Sequence, residues 1–194
     1  MARNIDYTKL EGVKQSAVKL IVENGYGGAS IANIAKKANV AEGYLYRFYK
    51  GKEELVSDLL NSKINEIADN LEESIRNSQS FDEIIELLIR SVFRIAKKSA
   101  DDIKFIYVMM NDYSFSVHSN LKERIRLLCN EANEKGRELH QLDELISVEE
   151  LYMFSVIYPI QFINLRLKNF FGVGKWTEED IERMIKICCK TLKK

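Results

Sequence analysis

The chain has 194 residues, 46% hydrophobic and 30% charged, the ordinary composition of a soluble globular protein. One proline and nine glycines leave few helix breakers, and three cysteines, odd in number and without metal-ligand spacing, argue against a disulfide scaffold or a zinc site. The 29 basic and 29 acidic residues cancel, which taken alone speaks against a nucleic-acid partner.

In chain order, Thr8-Lys9-Leu10-Glu11 has the form of a capping box, in which a hydroxyl and a carboxylate satisfy free amides at a helix start. The helix it opens presents Leu10, Val13, Ala17, Leu20 and Ile21, and Asn24-Gly25 is a left-handed stop. The stretch Ser30 to Leu55, SIANIAKKANVAEGYLYRFYKGKEEL, carries the most information. Ile31, Ile34 and Ala35 share a helical face, Ala38-Asn39-Val40 is a tight turn, and Leu45 with Phe48 or Tyr49 supplies the next apolar face. Asn39 falls where the turn needs a left-handed residue, which Asn tolerates best after Gly. Ala35 and Gly43 are small where two helices are expected to cross closely. This is a helix-turn-helix, the unit that lays its second helix in a DNA major groove.

Further helices are predicted from Lys52 to about Ser78 and from Asn120 to Leu139, and others open at the capping boxes beginning Ser80, Ser99, Ser147 and Thr177. The stretch Leu151 to Phe171 is apolar nearly all round and must be buried on every side, with Pro159 expected to kink it. Ile181, Met184, Ile185, Cys188 and Leu192 form an apolar stripe on the last helix. The reading is an all-α fold of about nine helices, with a three-helix head over residues 1–50 and a helical body over 51–194. The chain passes between them inside the fourth helix, near Asp58. No apolar run reaches the roughly 18 residues of a membrane span, and the amino terminus has no signal segment, so a cytoplasmic protein is expected.

The distribution of charge points the other way from its zero sum. Residues 1–52 hold nine Lys or Arg against four acids, leaving 20 basic and 25 acidic residues for the rest. A basic head on an acidic body suits a protein that touches DNA at one end.

Ser30, Ile34-Ala35, Ala38-Asn39-Val40-Ala41, Gly43, Leu45-Tyr46, Phe48, Lys52-Glu53 and Leu55 occur in the order of the TetR family of one-component repressors, which the chain closely resembles. Asn39 stands where the family usually has Gly, Gly51 where it has Ser or Asn, and Phe48-Tyr49 where it has His or Tyr and then Phe. Phe48 cannot donate the phosphate hydrogen bond that a His or Tyr would.

The resemblance implies a DNA-binding head and a body that binds an effector and dimerises through the last two helices, as a four-helix interface with their mates. It points to Tyr46 and Lys52 as phosphate contacts, although Tyr46 could instead pack beneath the third helix and Lys52 could be a solvated lysine. Ser30 caps the second helix and lies in a region that reaches the DNA backbone. Base readout falls to Ala32, Ala41, Glu42 and Tyr44: Glu42 can accept from cytosine N4, although an acid also repels phosphates.

In the body, Phe93, Tyr107, Met110, Tyr113, Tyr152, Tyr158 and Phe162 either surround a largely apolar effector cavity with a few polar tips or form plain core. No P-loop, dinucleotide fingerprint or nucleophile triad is present, so neither an enzyme nor a cofactor is expected. The function expected is a ligand-responsive regulator, a repressor in kind, that binds a near-palindromic operator as a homodimer and is released by a small apolar molecule. The alternative is the same head on a body that docks a protein partner.

Overall fold

Ten α-helices succeed one another in the computed structural model, which describes residues 7–194. They are α1 (Tyr7–Gly28), α2 (Ile31–Lys37), α3 (Glu42–Leu45), α4 (Lys52–Asn77), α5 (Phe81–Lys98), α6 (Ala100–Asn111), α7 (Ser119–Glu138), α8 (Val148–Tyr152), α9 (Tyr158–Leu167) and α10 (Glu178–Leu192). A π-helical turn, Met153–Ile157, joins α8 to α9 without a break, so the long rods number about nine, as expected. No strand occurs among the described residues beyond one isolated bridge between Leu142 and Lys193.

Two compact units emerge. One comprises the described residues up to Lys63 together with Lys104–Val117; the other comprises Ile64–Ile103 and His118–Lys194. In the first, Val13, Ala17 and Ile21 of α1, Ile31, Ile34 and Ala35 of α2, Leu45, and Leu55 and Val56 of α4 are buried. The apolar face read from the sequence is thus the core of the head. In the second, α5 is the central rod and packs against α7, the π turn, α9 and α10. It buries Phe81, Ile84, Ile85, Leu88, Ile89 and Phe93, and each such side chain taken out of water contributes roughly 1.5–3 kcal/mol.

Several helix starts follow the sequence. Ser147 and Thr177 close complete capping boxes with Glu150 and Asp180. Ser80 and Ser99 accept from the amides of Glu83 and Asp102, at 3.3 and 3.1 Å. At Ser80 the reciprocal bond is displaced by one residue, Glu83 taking the Gln79 amide instead. Thr8 is not a cap, because α1 already includes Tyr7. Gly25 has φ 72° and interrupts α1, as a left-handed stop should, yet helical hydrogen bonding resumes to Gly28.

Gly43 is a correction. A Cβ there would meet nothing within 4 Å, so no helix crossing requires the glycine. The long apolar helix also differs from expectation. It ends at Leu167, where Asn169 turns left-handed (φ 49°), and it buries Leu151, Ser155, Pro159, Ile160, Ile163 and Asn164. These residues do not follow the single face of a straight 3.6-residue wheel, because the π turn shifts the register between α8 and α9. Pro159 sits in the first turn of α9, where its missing N–H falls at the junction with the π segment.

Candidate nucleic-acid interface

The helix-turn-helix is built by main-chain bonds around one left-handed residue. The amides of Ala38 and Val40 donate to the carbonyls of Ile34 and Ala35, at 2.9 and 3.0 Å, with Asn39 between them at φ 54°. Ser30 is the cap of α2, accepting the Asn33 amide at 3.1 Å. α3 is only four residues long. After Leu45 the chain tightens into turns, with Phe48 and Tyr49 both donating to the Leu45 carbonyl, so the apolar face expected from Leu45 to Phe48 or Tyr49 is not carried on one α-helix.

Ala32, Ala41 and Glu42 are exposed, and Tyr46 is 56% exposed at the C-terminal end of α3. Tyr44 is half-buried, its ring 5.2 Å from that of Phe48. The exposed Arg47 guanidinium lies over both rings, 5.6 and 5.8 Å from their centroids. Sequence reasoning passed over Arg47, although an arginine between Tyr46 and Phe48 is a cation carried on a planar support.

Phe48 and Tyr49 divide their roles. Tyr49 is buried, and its hydroxyl donates to Asp58 at 2.8 Å. Asp58 also pairs with Lys14 at 3.1 Å. Burial and the Asp58 carboxylate push the Tyr49 phenol far above its usual value. Its hydroxyl is therefore spent inside the head, tying the turn after α3 to α4, which Lys14 joins to α1, and does not replace the donor that Phe48 lacks.

Lys52 is the first residue of α4, half-buried. Its ammonium donates to the Tyr26 carbonyl at 2.8 Å and stands 4.0 Å from the centroid of the Tyr26 ring. A lysine ammonium has three donors, so this leaves capacity for an anion. Lys37 is paired with Glu23 at 2.8 Å.

The seven residues read as a possible effector lining divide between the two units. Tyr107, Met110 and Tyr113 belong to the first; Phe93, Tyr152, Tyr158 and Phe162 belong to the second. Tyr107 is half-buried, Met110 is 39% exposed and Tyr113 is fully exposed on the loop after α6. In the second unit the Phe93 ring lies 6.3 Å from Phe162 and 5.8 Å from Trp176. Arg166 stands 4.9 Å over Phe162 and pairs with Asp180 at 2.9 Å. Trp176 and Arg166 were not anticipated, since each reaches this cluster only through the fold. Tyr152 is half-buried, its phenol pushed up to about 12 by burial and then by Cys129; Tyr158 lies at the surface. A separate cleft of about 530 Å³ runs between the end of α4 and α5, lined by Glu73, Asn77, Glu86, Arg90 and Arg94 among others.

No group of three or more metal-ligating side chains occurs among the described residues. Burial raises the thiols of Cys129 and Cys188 to about 11, so both stay protonated near neutrality. No described helix is long and apolar enough to cross a membrane.

Comparison with known proteins places this geometry. Residues 15–59 match the model of the bacterial regulatory proteins, tetR family. The fatty acid metabolism regulator protein of Bacillus subtilis (strain 168) is 34% identical over 80 residues, which is 41% of either chain, so the similarity spans under half of that relative. Among solved structures, a TetR family transcription regulator from Marinobacter aquaeolei VT8 superposes with a TM-score of 0.80, at 18% identity and 97% coverage of both chains. FadR from Bacillus subtilis, solved in complex with stearoyl-CoA, superposes with a TM-score of 0.68, at 19% identity, covering 93% of this chain and 96% of that one. At such identities the structures establish a shared fold.

Proposed function

We propose that this chain is a transcriptional regulator of the TetR family, whose model it matches over residues 15–59, and that it is a repressor released from its operator by a small, largely apolar molecule. The observation that carries this reading is the head itself: a helix-turn-helix held by Asn39, with Ala41, Glu42 and Tyr46 at the surface of its second helix and Lys52 at the start of the next. Residues 1–50 bind DNA, and residues 51–194 bind the effector and dimerise. Two heads enter successive major grooves of a near-palindromic site, with Tyr46, Lys52 and the region of Ser30 on phosphates and Ala32, Ala41, Glu42 and Tyr44 toward bases.

The dimer forms through the rod of α8, the π turn and α9, together with α10. The stripe Ile181, Met184, Cys188 and Leu192 is already buried within its own chain, so the mate takes what remains exposed on these helices, including Met153 and Ile187. The aromatic group of Phe93, Phe162 and Trp176, with Tyr152 and Tyr158 in the same unit, supports an apolar effector. An effector acts only by preferring the state in which the heads no longer match groove spacing; equal affinity for both states releases nothing.

The test is to select duplexes from a random pool with the purified protein, then titrate an enriched duplex by fluorescence anisotropy at several salt concentrations. The reading requires affinity that falls linearly on a log–log plot, with a slope near −0.9 for each phosphate neutralised. Absence of enrichment, or a flat salt response, overturns it. Exposed Phe170, Phe171 and Val173, on the loop between α9 and α10, favour the second reading of a protein partner docked on the body. Thermal stabilisation by a small molecule, with no partner in a pull-down, removes that reading.

A further inference from the structure

The segment following α6 carries no part of the helix-turn-helix, yet it packs into the same compact unit. Asp112 locks the segment: its carboxylate accepts the Ser114 hydroxyl at 2.5 Å and the Ser114 amide at 2.9 Å, while its carbonyl accepts the Phe115 amide at 3.1 Å. That turn leaves Tyr113 outside and buries Phe115, whose ring meets Tyr26 edge-on at 5.1 Å. Tyr26 follows the dihedral break at Gly25 and is the residue on which Lys52 rests, through its carbonyl at 2.8 Å and its ring at 4.0 Å. The Asp112 carboxyl is held below its usual range by the Ser114 hydroxyl and amide, and further by the Tyr26 amide and the Lys52 charge.

We propose that Asp112 and Phe115 are positioning residues for DNA binding: they fix Tyr26, and Tyr26 holds the Lys52 ammonium ready for a duplex phosphate. This rests on the DNA-binding reading above and adds to it a pair of residues some sixty positions from Lys52 in sequence. A lysine side chain has high rotamer entropy, and immobilising it on binding costs affinity. A carbonyl and a ring face that hold it beforehand remove part of that cost. The sign of the effect is diagnostic. An acidic group near a phosphate contact should by charge alone weaken DNA binding, whereas a positioning acid strengthens it.

The experiment uses the full chain and a duplex selected by the wild-type protein. Asp112→Asn should weaken binding about three- to ten-fold while leaving the salt slope unchanged, because no phosphate contact is deleted. Lys52→Ala should weaken binding and lower the slope by about one. Introduced into the Lys52→Ala background, Asp112→Asn should change affinity less than about two-fold, the signature of coupled residues. Phe115→Leu should behave as Asp112→Asn does, and it carries the test if the asparagine variant fails to melt cooperatively. Wild-type or tighter binding by folded Asp112→Asn, or an equal loss with and without Lys52, overturns the proposal. Failure of the wild-type chain to enrich any duplex overturns instead the DNA-binding reading on which it stands.

Discussion

Asn39 and Tyr49 both belong to the head, and the sequence treats them unequally. A left-handed residue between two helices has few acceptable side chains, so Asn39 at φ 54° is legible from its chemistry and its place after α2. Asn39→Val puts a β-branched side chain in that conformation and should cost about 1–2 kcal/mol, read as a lower urea midpoint with an unchanged slope. The Phe48-Tyr49 pair was not legible. Either residue satisfies the apolar pattern, and the choice depends on the tightening of the chain after Leu45 and on Asp58 nine residues ahead. Lys52 shows the same limit. Its position in the motif is visible in the sequence, but its perch on Tyr26 requires the fold to bring together residues 26 apart.

Helix boundaries were readable where a cap is chemical and local, as at Ser147 and Thr177. They were misread where the signal is purely periodic. The apolar stretch after Leu151 contains its own change of period, and no residue in Met153–Ile157 announces a π turn in advance. Packing glycines are equally silent. Gly43, a candidate for close crossing, has open space, whereas Gly136 in the interior of α7 needs to be small. A Cβ at 136 would stand 2.7 Å from two carbons of the Phe81 ring and 3.1 Å from the Leu142 Cβ. Phe81 is completely buried and cannot swing aside. Gly136→Ala should therefore destabilise the protein by about 1–3 kcal/mol, although alanine is favoured over glycine in a helix by about 1 kcal/mol. A fall rather than a rise in melting temperature is the check.

At the scale of the molecule, the divided charge gives the two halves different sensitivities. On the proposed DNA-binding reading the basic head meets a duplex through a salt-dependent term, while carboxylates of the second unit serve as internal fasteners. Asp180, buried, accepts from the Thr177 amide and hydroxyl, pairs with Arg166 at 2.9 Å, and bonds Arg183. Its carboxyl is held below its usual value, by the Thr177 amide foremost and then by the two arginines. Glu150 and Glu178 are lowered in the same way by Ser147 and Arg90. A carboxyl whose folded value is depressed contributes stability above its unfolded value, and that contribution is lost as pH falls through the folded one. The melting temperature should therefore be level near neutrality and drop below about pH 4. Asp180→Asn should melt lower than wild type at pH 7, with the gap closing in acid.

The turn at Met153–Ile157 decides where this rod tolerates the loss of a residue and where it does not. One residue more than a regular turn is wound there, and each residue of a helix carries the chain through about 100°. Excising a single residue from that coil would let it rewind as ordinary helix with everything beyond Tyr158 keeping its bearing, whereas losing one residue from α8 with the coil intact would turn all that follows by about 100°. Phe162 would swing away from Phe93 and Arg166 from Asp180, without any change to the side chains themselves.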